Sequence, residues 1–431
     1  IILIAGFLNG NWVFGQEWEK FMEQTEEKEL KYEDWVYEPY IRSVVLYNTR
    51  TDENGFPSQP IIPLNGQGGL LLEFDDITDD DEDYFAKIIH CNRDWSMSGF
   101  RPIEYLNEYN EYNINEFEFS INTKVPYVHY KFRLPNLKIS GNYLLIVYRG
   151  GDEEDLILTR RFIIHEDAVR VTAKADNVIG STEALRMQQV NFSVFYGGLN
   201  LDIPGDNVTT VIRKNNRWEN AITELKPLFV KQHVQELDFN FFNLENAFEG
   251  GNEFRFFDTG SRNAGLNIED VERKEGINII SLQKDKPRAD RVYNSQRVLN
   301  DVNGRFLIGN LAGSGNAEVE ADYNEVEFTL AVENQYEGDV FVLGNFNDWK
   351  LKDENRLVYD QAANTYTGSL FLKQGRYDYI YAVYKARKIN ESILEGSFNL
   401  TENEFDIIVY YRPLAGRGDR AIGYRSLFIN R

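Results

Sequence analysis

From Trp35 onward the chain is built of short apolar runs broken by Gly, Pro, Asn and Asp, and a helical period is weak throughout. Apolar residues that recur at every second position can be buried on one face only by a pleated strand. In one such run Leu156, Leu158, Phe162 and Ile164 share a face while Thr159 and Arg161 point away. A second apolar run, Tyr143 to Tyr148, precedes it across Gly150-Gly151-Asp152-Glu153, so the pair reads as a β-hairpin. Val326, Phe328 and Leu330 alternate with Glu327 and Thr329, and Tyr377, Tyr379 and Tyr381 lie opposite Ile380 and Ala382. Further strands are expected over 41–47, 69–74, 189–196, 207–212, 236–242 and 340–343, and finally over 405–411, which Pro413 ends. With 25 Tyr and 29 Phe the composition favours half-buried pleated surfaces. The expected fold class is all-β, as tandem immunoglobulin-like or early-set β-sandwiches.

The 431 residues suffice for about three domains at roughly 150 residues each. Punctuation places them at 35–167, 168–312 and 317–413, with a tail over 414–431. The small residues of Leu311-Ala312-Gly313-Ser314-Gly315-Asn316 read as a linker before the last domain. Residues 1–15 are apolar and end in small residues, which reads as the remnant of a secretory signal peptide, and 16–34 form a charged N-terminal segment.

The net charge of -23 repels phosphate backbones and anionic lipid surfaces, so nucleic acid and flat membrane binding are disfavoured. No apolar run reaches the roughly 18 residues a spanning helix needs. The single cysteine, Cys91, cannot form a disulfide within the chain and reads as a small buried apolar residue.

Catalytic and metal signatures are weak. His90, His129, His165 and His233 are far apart and fit no ligand spacing, and each reads as an ordinary strand or loop residue. The chain has no G-x-S-x-G elbow, and Gly66-Gln67-Gly68-Gly69 lacks the Lys-Ser/Thr of a phosphate loop. No catalytic residue, cofactor or metal is therefore expected. The run Asp75, Asp76, Asp79, Asp80, Asp81, Glu82, Asp83 reads as an acidic loop without the EF-hand pattern. Asp79, Asp80, Asp81, Glu82 and Asp83 are candidates for contact with a basic rim on a partner protein. Arg417-Gly418-Asp419 spells a short adhesion motif that chance supplies too easily to use.

Val340 to Leu343, Gly344-Asn345-Phe346-Asn347-Asp348-Trp349 and Gly375-Arg376-Tyr377-Asp378-Tyr379 resemble the early-set sandwich of glycogen-binding modules. That resemblance implies a sugar-stacking role for Trp349. The second Trp of those modules is missing from Lys385 to Asn390, and Ile380 stands near the position of their Lys, so a structural role for Trp349, covering the sandwich edge, is favoured over glycan binding.

A broader set of segments resembles one family over about 35–413. Ile41-Arg42-Ser43-Val44, His90-Cys91-Asn92-Arg93-Asp94-Trp95, Ser140-Gly141-Asn142-Tyr143 and Thr159-Arg160-Arg161-Phe162 carry it near the start. Gly251-Asn252-Glu253-Phe254-Arg255, Asp301-Val302-Asn303-Gly304, Leu372-Lys373-Gln374-Gly375, Glu395-Gly396-Ser397 and Thr401-Glu402-Asn403 carry it further on. These are similar to the type IX secretion plug proteins of Bacteroidetes-type bacteria. The resemblance implies a non-enzymatic periplasmic protein at the inner face of the outer membrane. Its partners would be the giant translocon barrel, whose opening it plugs, and associated translocon subunits. The alternative is a periplasmic or surface carbohydrate-binding protein acting through Trp349.

Overall fold

The computed structural model describes residues 28–51, 57–66, 68–78, 80–178, 182–260, 265–291, 293, 301–310 and 315–431. The expected signal remnant, most of the charged segment after it, Asp79 and the linker residues 311–314 lie outside the described residues. The architecture is almost wholly β, in three sandwiches.

In the first sandwich one sheet runs in the order Trp35–Val36, Leu156–His165, Gly141–Arg149, Tyr84–Cys91, Tyr112–Asn113. The facing sheet runs Pro57–Ser58, Ile41–Thr51, Leu70–Asp76, Val128–Arg133, Glu116–Phe119. Phe74 of one sheet meets Tyr84 of the other edge-on, with centroids 5.4 Å apart. The expected hairpin is present, turning through left-handed Gly150 and Gly151. Leu158, Phe162 and Ile164 share the core face, but a bulge at Val147/Tyr148 puts Leu156 in the cluster on the opposite face. That opposite face is also buried, because Val211, Ile408, Tyr410 and Ala421 of the middle sandwich pack against it.

The middle sandwich departs from the expected boundaries. One sheet runs Arg170–Asn177, Met187–Phe195, Glu236–Phe239, Phe229–Lys231. The other runs Ile222–Leu225, Val208–Lys214, Asn403–Tyr411, Arg420–Ile429. The strand expected to close the last domain thus pairs with Val208–Lys214, and most of the expected tail is a strand beside it. The cause is burial: Phe405, Ile407 and Val409 fill the core that Val190, Phe192 and Leu237 line from the facing sheet.

The third sandwich is therefore an insertion between Ala247–Glu249 and Asn403–Tyr411. It also starts earlier than expected. Arg255–Asp258 and Phe306–Ile308 pair with Gly375–Lys385, while Asn278–Leu282 runs parallel to Tyr323–Ala331. The alternation read from the sequence holds here. Tyr377, Tyr379 and Tyr381 face Val326, Phe328 and Leu330, and Ile380 and Ala382 join Phe341, Leu343 and Trp349 on the other side. The two ends of the insertion touch, since Phe398 N–H donates to Gly251 O (2.8 Å) and Asn403 Nδ2 to Gly250 O (2.8 Å).

Candidate functional site

The three sandwiches are joined by buried polar contacts, and these are where the unusual chemistry of the molecule concentrates. Between the first and third sandwiches, Asp75 ends the strand Leu70–Asp76 fully buried. Its Oδ2 accepts from Lys373 Nζ at 2.7 Å and from Tyr323 OH at 2.7 Å, and its Oδ1 meets His129 Nδ1 at 2.7 Å. Burial alone would raise this carboxyl, but Lys373 and His129 hold it below the usual range. Lys373 also donates to Glu318 O (2.6 Å) and lies 4.1 Å from the Tyr127 ring. A charge pair removed from water is costly unless its remaining valences are filled, and here they are.

Between the first and middle sandwiches, Trp95 meets Trp218 edge-on at 4.9 Å. The guanidinium of Arg161 lies 5.3 Å from both rings, and that of Arg213 lies 4.5 Å from Trp218. Arg213 binds Asp406 through Nη2 at 2.7 Å and Gln59 Oε1 at 2.7 Å. Tyr410 OH donates to Asn142 Oδ1 (2.7 Å), and Asp419 accepts from Arg93 N–H (2.9 Å). Between the middle and third sandwiches, Arg217 stacks 3.9 Å from the Trp349 ring and binds Glu391 at 2.5 Å. Arg160 of the first sandwich reaches Asp348 of the third at 3.3 Å. A cavity of about 160 Å³ lies at this meeting point, lined by Arg160, Arg213, Trp95 and Trp349 among others.

Trp349 is not placed to hold a sugar. It is 5% exposed, with Arg217 over its ring and Phe254 alongside at 5.9 Å. It also covers Gly304, whose φ is +81°, where a Cβ would lie 2.7 Å from the indole. Sugar stacking needs an open ring face, and this one is taken by an arginine.

The acidic run divides. Asp75 and Asp76 are buried strand residues rather than loop, whereas Asp80, Asp81, Glu82 and Asp83 are exposed. The loop is anchored by Glu82 N–H, which donates to Tyr130 OH at 2.7 Å, and by Gly150 N–H, which donates to Asp83 O at 2.8 Å.

His90 and Cys91 are enclosed, whereas His233 is exposed. His90 Nδ1 lies 2.9 Å from Ser98 Oγ, but His90 is 1% exposed beneath Phe100 and Tyr143, and burial lowers its imidazole to about 4. Gly141 lies against it with φ +147°, where a Cβ would meet His90 Nε2 at 2.4 Å. Burial pushes the Cys91 thiol up to about 12. One grouping escaped sequence reasoning: Glu73, His129 and Glu318 converge although 245 positions separate the first from the last. Neither spacing nor motif signals it.

Five of the nine segments that carried the family resemblance reach the junctions: Ser43 binds Tyr323, Arg93 binds Asp419, Asn142 binds Tyr410, Arg160 binds Asp348, and Lys373 binds Asp75.

Residues 41–166 match the family described as type 9 secretion system plug protein, first domain. The whole chain is similar to the crystal structure of a hypothetical protein from Parabacteroides merdae ATCC 43184. The two share 27% identity over 93% of this chain and 100% of that one, with a TM-score of 0.86. No curated protein matches. Residues 41–166 thus carry the first domain of the type IX secretion plug proteins, which supports a role associated with type IX secretion.

Proposed function

We propose that this protein is a stopper: a non-enzymatic subunit that covers the periplasmic opening of the giant translocon barrel between substrate transits. The observation that carries the reading is the interlock of three sandwiches through buried ion pairs and hydrogen bonds, in a chain whose first domain matches the plug family. Barrels of up to about 36 strands leave a wide aqueous lumen that would leak if left open. A seal for such a lumen needs bulk and stiffness, which interlocked sandwiches supply. The seal must also come away, so its contact with the barrel is expected to be broad and polar. The exposed carboxylates of Asp80, Asp81, Glu82 and Asp83, together with Asp79, which precedes them in sequence and lies outside the described residues, would meet a basic rim there.

A tagged full chain expressed in a type IX-competent cell tests this. The barrel is expected to copurify from outer-membrane extracts. Replacing Asp80, Asp81 and Asp83 by Asn should weaken capture, most visibly at low salt, where exposed charges act at longest range. Absence of the barrel from the captured material would contradict the reading.

A further inference from the structure

Glu73 and His129 lie on adjacent strands of the first sandwich, where Glu73 is in register with Lys131 and Asp75 with His129. Period two places Glu73 and Asp75 on one face, with His129 and Lys131 beside them. This face is turned to the third sandwich, whose short helix Ala317–Glu320 brings Glu318 to it. Each of Glu73, His129 and Glu318 offers a ligand atom, and the three atoms lie within 4.8 Å of one another.

The decisive detail is His129. It is only 5% exposed, its Nδ1 is held by Asp75 at 2.7 Å, and its Nε2 has no hydrogen-bond partner. A buried ring nitrogen without a partner costs free energy, and buried polar atoms in folded proteins are generally satisfied. A carboxylate on one imidazole nitrogen fixes the tautomer and leaves the other as a lone-pair donor, the arrangement that orients histidine towards a metal ion. The other two candidates also have one carboxylate oxygen held by a neighbour. Tyr47 OH donates to Glu73 Oε1 at 3.1 Å, and Lys131 pairs with Glu318 Oε2.

The geometry points to a divalent transition-metal site built from His129 Nε2, Glu73 and Glu318, bridging the first and third sandwiches. One imidazole and two carboxylates suit zinc, which takes such ligands at about 2.0–2.2 Å. Ligands at that distance stand about 3.3 Å apart in a tetrahedron, so the three side chains need close by only an ångström or so. Glu318 is 41% exposed at its side chain, which leaves a path for entry and room for water as a fourth ligand. The bound ion would tie the two sandwiches together beside the Asp75–Lys373 pair. This site is independent of what the molecule seals.

The test is isothermal titration of the chelator-treated full chain with zinc chloride, with calcium and magnesium as comparisons. One zinc per chain is expected, with calcium and magnesium much weaker. Glu318→Gln should weaken zinc more than about tenfold while leaving the circular dichroism spectrum unchanged, since Glu318 lies at the surface. His129→Gln should do the same. No zinc uptake by the native chain, or uptake that Glu318→Gln and His129→Gln leave unchanged, would overturn the site.

Discussion

At the residue scale the fold is held by charges that have been taken out of water. Asp75 and Lys373 are the clearest pair, since each is almost wholly buried and they come from different sandwiches. Removing one partner strands the other, which typically costs about 3–5 kcal/mol. Lys373→Ala is therefore expected to lower the unfolding free energy by about 3 kcal/mol or more in guanidinium titrations. A loss below about 1 kcal/mol would show that the pair is not buried as described. Asp76 behaves differently. Burial pushes its carboxyl up to about 6 from the ordinary 3.8, despite the hydrogen bond from Tyr84 OH at 2.7 Å. The folded chain then holds this proton more tightly than the unfolded one. Stability contributed by the protonated form is full below about pH 4 and is lost as pH rises to about 6, by up to roughly 3 kcal/mol. Asp76→Asn keeps an acceptor for Tyr84 and removes the charge. It should flatten the dependence of melting temperature on pH between 4 and 7 and raise that temperature at pH 7.5. An unchanged pH profile would contradict this assignment.

At the element scale the chain order is misleading, because the third sandwich interrupts the middle one. Two altered chains separate this topology from three sandwiches in series. Replacing residues 252–400 by a short Gly-Ser linker should leave the first and middle sandwiches folded, because Gly250 and Asn403 are already hydrogen-bonded neighbours. A chain ending at residue 312 lacks Asn403–Tyr411 and Arg420–Ile429, half of one sheet, and should fail to unfold cooperatively. The opposite pattern would refute the insertion. Strands were legible in the sequence wherever one face was buried and the other wet, as at Val326 to Leu330 and Tyr377 to Ala382. Topology was not, because alternation says which face of 405–411 is apolar but not which sheet it joins. The junctions were not legible either. Arg160, Trp95 and Lys373 carry the chemistry of exposed residues, and only docking of a second sandwich buries them. The same reason misassigned Asp75 to a loop, whereas the structural role favoured for Trp349 agrees with its burial.

At the scale of the whole molecule, no described helix is long and apolar enough to cross a membrane, and the domain at residues 41–166 links the chain to type IX secretion. The described surface carries acidic side chains, while several of its buried charges join one sandwich to another. The proposed stopper would act on the secretion pore through shape and surface. The most direct measurement is the entry of a large glycopeptide antibiotic into cells that lack the protein. Deletion should make the outer membrane leaky, and the native chain should restore the seal. A chain with its junctions broken at Asp75, Arg213 and Arg217 should restore it poorly even when present in normal amounts. Deletion cells that remain as impermeable as the parent would contradict the stopper.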